Sequence, residues 1–526
     1  MKKKLLFLLF IFIFGMTNIQ AKIVNIKYLK KLESERTQSK PLIKKVLEQH
    51  TADLDSMLKR KVIRVLVVNS KAFYGIEKGK KTGIYNDAIM ALEKQINTNY
   101  PHANKHIKTK LIPIPVTRAM LIPALNAGYG DVAIADNTIT KRRADQIAFS
   151  DPFASGINEI LVTNTSLKGI NAFEDLSGKE VYVKPSMSYM DSLLQVSETL
   201  VHKGLDPIVI RALPEALESE DILELLNDGL IGITIMDDYK VKMWSTVYEK
   251  LILHEEITFR EDADVAVMVR KNNPKLLAEL NAFIETKRVG DAFAKVATEK
   301  YFESKRYKKL NRSGISKKKF HSLQKTFQKY AEKYELDPLM LMAQAYQESK
   351  LHERARSHAG ARGIMQLMPA TAREMNVGSI FNTDANIHAG VKYHKKLQDH
   401  YFNDENINKE DRSLFIFAGY NAGPNRINRF RKIAKERGLD PNKWFGNVEL
   451  IAAEKIGRET VHYIQNIYNY YVVYTMMNIQ NEAKLRAKIS LFYNVKDKKS
   501  VDLTQKEKKI REELAMLIGY KEKVNN

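Results

Sequence analysis

The sequence predicts a multidomain protein in which an α/β portion is followed by an all-helical portion. Three observations predict it: β-branched runs alternate with helical stretches from Val62 to Ile284, strand signals end by Phe302, and later apolar residues recur only at helical spacings. The chain has 526 residues, enough for roughly two to four domains and more than one buried core.

Residues 1–21 open with Lys2, Lys3 and Lys4 ahead of the apolar run Leu5 to Phe14, and small or polar residues lead to Ala21. That order is expected of a secretory signal peptide; the apolar run is shorter than the ~20 residues of a spanning helix, and an uncleaved anchor is the alternative. Residues 22–60 read as a polar helical segment with no assigned function. In the α/β portion, residues 61–302, strands are expected at Val62 to Val68, Lys108 to Ile114 and Asp131 to Ala135, with helices around Asp87 to Ile96 and Arg118 to Asn126. A second, similar block carries strands at Lys179 to Val183, Ile208 to Arg211 and Ile231 to Met236, and a helix around Ile222 to Leu226. Asp264 to Val269 reads as one more strand before a helix from Pro274 to Ile284. Residues 303–315 form a basic, strand-free linker.

Residues 316–480 read as helical. Phe320, Leu323, Phe327, Tyr330 and Tyr334 share one helical face. Asp337 before Pro338 marks a helix start, because the carboxylate caps free amides and proline loses nothing in the first turn. Further helices are expected around Asp384 to Tyr401, Arg412 to Ala418 and Glu459 to Met477, before a charged, partly helical tail at 481–526.

The chain contains no cysteine, which excludes disulfides, thiolate metal sites, a cysteine nucleophile and a lipid-modified cysteine. With 85 Lys and Arg against 62 Asp and Glu the formal charge is +23, a surface that attracts polyanions. An exported chain rarely meets nucleic acid, so nucleic acid is not expected as a partner, whereas peptidoglycan carries stem-peptide carboxylates. His388, His394 and His400 are six apart, which is not a same-face helical spacing, so surface histidines are expected rather than a metal site. No cofactor is expected either.

The helix beginning at Pro338 is apolar nearly all round, and Glu348 lies near its end. Burial and the negative end of the helix dipole both raise a carboxyl pKa there, which suits a general acid. The alternative is an ion pair with Arg354 or Arg356. Residues 330 to 475 resemble the lysozyme-like catalytic domain of the soluble lytic transglycosylases. The resemblance is carried by Glu348-Ser349, by Ser357-His358-Ala359-Gly360-Ala361-Arg362-Gly363-Ile364-Met365-Gln366-Leu367-Met368-Pro369, by Gly419-Tyr420-Asn421-Ala422-Gly423-Pro424, and by Glu459-Thr460 with Tyr463. It implies Glu348 as the catalytic acid and base, with Ser357, Gln366, Met368, Tyr420, Asn421 and Tyr463 at the substrate. Packing in the core is the alternative for Met365, Leu367 and Met368. The family usually has alanine before the Tyr-Asn pair, where this chain has Gly419.

Most glycosidases use two carboxylates, and the matched motifs supply one at the expected centre. By the resemblance, Glu348 protonates the leaving oxygen and then deprotonates the muramoyl 6-hydroxyl, which closes a 1,6-anhydro ring without water. Glu353 or Asp384 would be needed for the alternative, a hydrolytic muramidase. A non-catalytic sensor that only grips glycan is the other reading.

Residues 61–302 resemble the two-lobed periplasmic solute-binding proteins for polar amino acids. The carrying stretches are Gly130-Asp131-Val132-Ala133-Ile134, Thr138-Ile139-Thr140-Lys141-Arg142-Arg143, Phe149-Ser150-Asp151-Pro152-Phe153, and Asp175-Leu176-Ser177-Gly178-Lys179. The resemblance implies that Arg143 clamps a carboxylate through its planar fork, that Asp237 holds an ammonium with Asp238 as its competitor, that Thr138 adds a hydroxyl, and that Phe73 or Tyr74 closes over the ligand. Arg143 bridging the lobes through an acidic partner is the alternative. Together the halves resemble exported wall enzymes, a periplasmic-binding-protein-like domain before a lysozyme-like one. The partners so implied are peptidoglycan strands and an amino-acid or muropeptide ligand, in the periplasm and with peripheral outer-membrane association in many members.

Overall fold

The computed structural model describes residues 41–77, 79–288 and 314–496. The expected signal peptide, the linker as far as residue 313 and the tail beyond residue 496 lie outside the described residues. Twelve strands are described: β1 (Val62–Val68), β2 (Gly75–Glu77), β3 (Lys80–Thr82), β4 (Lys110–Val116), β5 (Val132–Ala133), β6 (Ala148–Phe149), β7 (Ala154–Asn164), β8 (Glu180–Val183), β9 (Val209–Ala212), β10 (Ile233–Asp237), β11 (Leu251–Val265) and β12 (Met268–Val269). They form two five-stranded sheets, ordered β4-β1-β5-β12-β6 and β11-β7-β10-β8-β9, and a β2-β3 hairpin.

Each sheet is the centre of one lobe. The chain crosses from the first to the second between β6 and β7 and returns between β11 and β12, so two strand-to-strand crossings join the lobes. In the first lobe β1 runs parallel to both β4 and β5, and six of its seven residues are buried, as expected of a strand covered on both faces. The expected strand Asp264 to Val269 is in fact the end of β11 and all of β12, which lie in different sheets. β7 and the bulged strand β11 pair antiparallel along most of their length.

A buried carboxylate anchors the first lobe. Asp131 receives Arg64 Nε and Nη2 at 3.1 and 2.9 Å and Arg60 Nη2 at 2.5 Å, while Arg270 lies 3.5 Å away. Burial alone would raise its carboxyl, but the guanidinium groups of Arg64 and Arg60 outweigh that and hold it below the usual range. Arg64 also donates to the carbonyls of Glu48, His50 and Gly128, fastening the segment before β1 to the lobe.

The helical domain includes the helices Gly314–Tyr334, Pro338–Ser349, Pro369–Met375, Thr383–Tyr401, Lys409–Ala422, Pro424–Glu436, Glu449–Ile456 and Arg458–Lys496. The last passes the expected boundary at residue 480, so part of the charged tail is a direct continuation of the domain. This helix also packs on β4, and one hydrophobic cluster holds Ile112 and Ile114 of β4 together with Tyr468, Val472 and Met476. Asn469 Nδ2 donates to Leu111 O at 3.3 Å and Tyr474 Oη to Gly79 O at 2.7 Å. Farther along, Lys484 and Lys488 reach Asp221 of the second lobe at 2.9 and 2.7 Å.

Asp131→Ala would leave the buried guanidinium groups of Arg64 and Arg270 and the half-buried one of Arg60 without their carboxylate, and a loss of about 3–5 kcal/mol is expected from thermal or urea unfolding. Because the Asp131 pKa is depressed, its contribution is present above the unfolded carboxylate pKa of about 4 and fades as pH falls through the lower folded value. The gap between wild type and Asp131→Asn therefore narrows in strong acid.

Candidate active site

Helix Pro338–Ser349 starts where the sequence places it. Asp337 Oδ1 accepts from Leu339 N at 2.9 Å, and its other oxygen accepts from Tyr471 Oη at 2.6 Å. The helix is buried from Leu339 to Tyr346, and left-handed backbone at Lys350 and Leu351, φ 56° and 62°, ends it. Glu348 thus sits in the last turn. Burial lifts its carboxyl to about 7, against the opposing hydrogen bonds of Tyr463 and Gln344 and the charge of Lys350. Tyr463 Oη donates to Glu348 Oε1 at 2.5 Å from helix Arg458–Lys496. Neither Arg354 nor Arg356 pairs with Glu348, and the other two carboxylates in question are occupied elsewhere: Glu353 with Lys319 at 2.7 Å, Asp384 with Tyr330 and Lys329.

The loop from Ser357 to Met368 is folded against this helix end. Ser349 Oγ donates to Ile364 O at 2.8 Å, and Ser357 Oγ accepts from Ala361 N at 3.0 Å. Buried Asn386 stitches the loop in place, accepting from Met365 N at 2.9 Å and donating to Arg362 O at 3.0 Å. Gly363, at φ 78°, admits that amide, since a Cβ there would lie 2.3 Å from Asn386 Nδ2. Gln366 takes left-handed backbone, φ 48°, and its amide nitrogen donates to Gly363 O at 2.8 Å. Met365 and Leu367 are core residues, whereas Met368 is 44% exposed at the start of the next helix.

Tyr420 is in the last turn of helix Lys409–Ala422, which runs past the expected end at Ala418, and its hydroxyl donates to Met365 O at 2.9 Å. Burial, and after it the Glu348 charge, push the Tyr420 hydroxyl well up. Gly419 has a steric reason: a Cβ there would sit 2.8 Å from the ring of Phe402. Asn421 Oδ1 accepts from Thr460 Oγ1 at 2.7 Å, joining two of the sequence blocks. The expectation of surface histidines is corrected at His394, which is fully buried and whose Nε2 meets Gln344 Oε1. Among the described residues no group of three or more His, Asp or Glu could hold a metal.

In the α/β domain Thr138, Arg143 and Asp237 meet at the cleft between the lobes, Asp237 as the last residue of β10 and Arg143 on the short helix Lys141–Ala144. Arg143 donates to Thr138 O at 2.7 Å and across the cleft to Ser186 O at 2.9 Å. Asp237 pairs with Lys240 at 2.7 Å, and Lys240 also contacts Asp136 of the first lobe. Asp238 turns outward to Lys242. Arg118 bridges Asp136 at 2.7 Å and Glu218 at 3.0 Å, and Lys184 completes the group on Glu218 at 2.7 Å. Phe73 stacks on Tyr85 and meets Tyr239 edge-on, whereas Tyr74 is wholly buried in the first lobe's core. Arg118, Asp136, Lys184, Glu218 and Lys240 join this cluster from separate stretches of the chain, and no motif or spacing marks them.

A family model for the transglycosylase SLT domain matches residues 325–443, and one for bacterial extracellular solute-binding proteins, family 3, matches residues 63–304. A protein of Desulfosudis oleivorans named membrane-bound lytic murein transglycosylase F is 29% identical over 372 residues, covering 67% of this chain and 78% of its own. Another of that name, from Pseudomonas putida, is 26% identical over 438 residues, covering 79% and 85%. A crystal structure of a mutant of ArgBP from T. maritima aligns with TM-score 0.39 and 21% identity, over 48% of this chain and 99% of that one.

Because the folded-state pKa of Glu348 lies above the unfolded one, holding its charge costs stability once pH passes about 4.5, and the full cost is present above about 7. Glu348→Gln is therefore expected to raise the unfolding free energy at pH 8 by on the order of 3 kcal/mol and to leave it nearly unchanged at pH 4. Thermal unfolding at the two pH values checks this.

Proposed function

The chain belongs to the membrane-bound lytic murein transglycosylase F family, and we propose that Glu348 alone serves its reaction as acid and base. The enzyme is a peptidoglycan lytic transglycosylase. The observation that carries the assignment of Glu348 is its half-buried carboxyl, which keeps a proton to about pH 7 although Tyr463 and Gln344 both hydrogen-bond it. A proton retained at that pH can be handed to the oxygen that links the sugars.

In the first step the bond between muramoyl C1 and the bridging O4 breaks as Glu348 gives its proton to O4. The carboxylate then takes the proton of the muramoyl 6-hydroxyl as O6 bonds to C1, leaving a 1,6-anhydro end and restoring neutral Glu348. No water is consumed. The engagement of Glu353 and Asp384 in other pairs favours this over hydrolysis, which calls for a second carboxylate. Ser357, Gln366, Met368 and Asn421 belong, in this reading, to the walls that hold the glycan, and Tyr420 and Tyr463 to the pocket around the carboxyl.

The α/β domain takes a small zwitterion, an amino acid or a muropeptide, whose carboxylate and ammonium would meet Arg143 and Asp237 once the lobes part. Its closed cleft supports this reading, for the charges that fill it are of the kinds such a ligand carries. The export signal and the relatives' name support a periplasmic, membrane-associated site of action. Among the described residues no helix is long and apolar enough to cross a membrane.

Digestion of purified sacculi by wild type is expected to yield anhydro ends, one water lighter than reducing ends by mass spectrometry, and Glu348→Gln to lower the rate at least ~100-fold while sacculus binding persists. Reducing ends would replace this reading with the muramidase one. Titration of the protein with amino acids and muropeptides is expected to raise its unfolding temperature, and Arg143→Met to abolish that rise with sacculus cleavage in ligand-free buffer retained.

A further inference from the structure

Glu348 stands at the end of a buried hydrogen-bond chain that the reaction scheme above does not use. Tyr463 Oη donates to Glu348 Oε1 at 2.5 Å, Gln344 Nε2 donates to Tyr463 Oη at 2.9 Å, and Gln344 Oε1 meets His394 Nε2. Gln344 and His394 are fully buried and Tyr463 is 5% exposed. We propose that Gln344 and His394 are positioning residues that hold the Tyr463 hydroxyl as a donor to Glu348, fixing which carboxyl oxygen carries the transferable proton. This rests on the reading of Glu348 as acid and base.

The direction of the chain follows from what each group can do. An amide oxygen only accepts, so the His394 nitrogen that meets it carries hydrogen; the amide nitrogen only donates, so it hands a hydrogen to Tyr463, and Gln344 also hydrogen-bonds Glu348 itself. The Tyr463 hydroxyl already accepts from Gln344, and its single hydrogen is left for Glu348. His394 Nδ1 is buried without a partner. With hydrogen on Nε2 that nitrogen is a bare acceptor, whereas the other tautomer, or an imidazolium, would bury an unmatched donor. Burial pushes His394 down to about 3, so the ring is neutral throughout the working range.

Two consequences reach the chemistry. With Oε1 accepting from Tyr463, the proton of neutral Glu348 resides on Oε2, a defined donor. After transfer, the same hydroxyl stabilises the new carboxylate, as a hydrogen bond to a charged group does. The other titratable groups facing the carboxyl are Lys350 at the end of its own helix and Tyr420 from helix Lys409–Ala422, with Tyr393 and His394 of helix Thr383–Tyr401 packed behind Tyr420. None of these donates a hydrogen bond to Glu348.

The test is the pH profile of sacculus cleavage. Activity falls as pH rises through the Glu348 pKa, because the acid form is the active one. Gln344→Met is expected to move that alkaline limb up by about one pH unit and to lower kcat about tenfold, with KM within about twofold. In a Tyr463→Phe background the same substitution is expected to move the limb distinctly less, by the direct contact of Gln344 with Glu348 alone. His394→Leu is expected to shift the limb in the same direction and reads the chain if Gln344→Met does not fold, while His394→Gln, which keeps a donor, stays nearer to wild type. An unmoved limb in Gln344→Met, or an equal shift with and without Tyr463, overturns the proposal. Full cleavage by Glu348→Gln would instead overturn the premise, and the two failures are read separately.

Discussion

A carboxyl group keeps its proton near neutral pH only where water is denied to it, and it releases that proton usefully only where its anion is met by a donor. The contact between Tyr463 and Glu348 is where this protein strikes that balance. Desolvation in the last turn of a buried helix does the lifting, and the Tyr463 hydroxyl leads the groups that limit it, ahead of Gln344 and Lys350. The remaining architecture serves the pair. The loop around Gln366 is locked to the helix end through Ser349 and Asn386, and Tyr420 is tied to the same loop through the carbonyl of Met365. Three helices and a strained turn thereby converge on one side chain.

Helix Arg458–Lys496 gives that convergence its second role. Near its start it delivers Tyr463 to the carboxyl, in its middle it packs on the edge strand of the first lobe, and near its end its lysines neutralise Asp221 and Glu224 of the second. A rigid helix spanning all three bodies makes their relative placement a property of one element. The hydrophobic cluster shared by β4 and this helix shows that the seam is built like a core rather than like a transient contact.

Much of this was legible along the chain because it is local. The run Val62–Val68 is β1 residue for residue, and the Asp337-Pro338 pair starts its helix through the capping bond that the carboxylate makes. What escaped was non-local or masked by polarity. β11 carries His254, Glu255, Glu256, Arg260, Glu261 and Asp262 on a partly solvated strand, so its composition hid its length. The cleft pairs join residues as far apart as Arg118 and Glu218, which no spacing rule brings together. The spacing of His394 from the other histidines says nothing of its burial. His394 lies on the stripe of Ile387, Val391 and Leu397, and a polar residue on an apolar stripe signals a buried hydrogen bond. Gln344, amid the apolar residues of its helix, carried the same signal.

The closed cleft of the α/β domain follows a different electrostatic logic from the Glu348 carboxyl. There a single charge is made costly; here Arg118, Lys184 and Lys240 face Asp136, Glu218 and Asp237 as counter-ions, and buried Arg143 is met by two backbone carbonyls instead. Buried pairs of this kind gain little net stability, because desolvation offsets most of the attraction. Glu218 is also where the cleft meets the rest of the molecule: its backbone N–H donates to Asp221 at 3.0 Å, and Asp221 holds Lys484 and Lys488 of the long helix. Any motion that parts Arg118 from Glu218 therefore acts directly on the residue that anchors that helix to the second lobe.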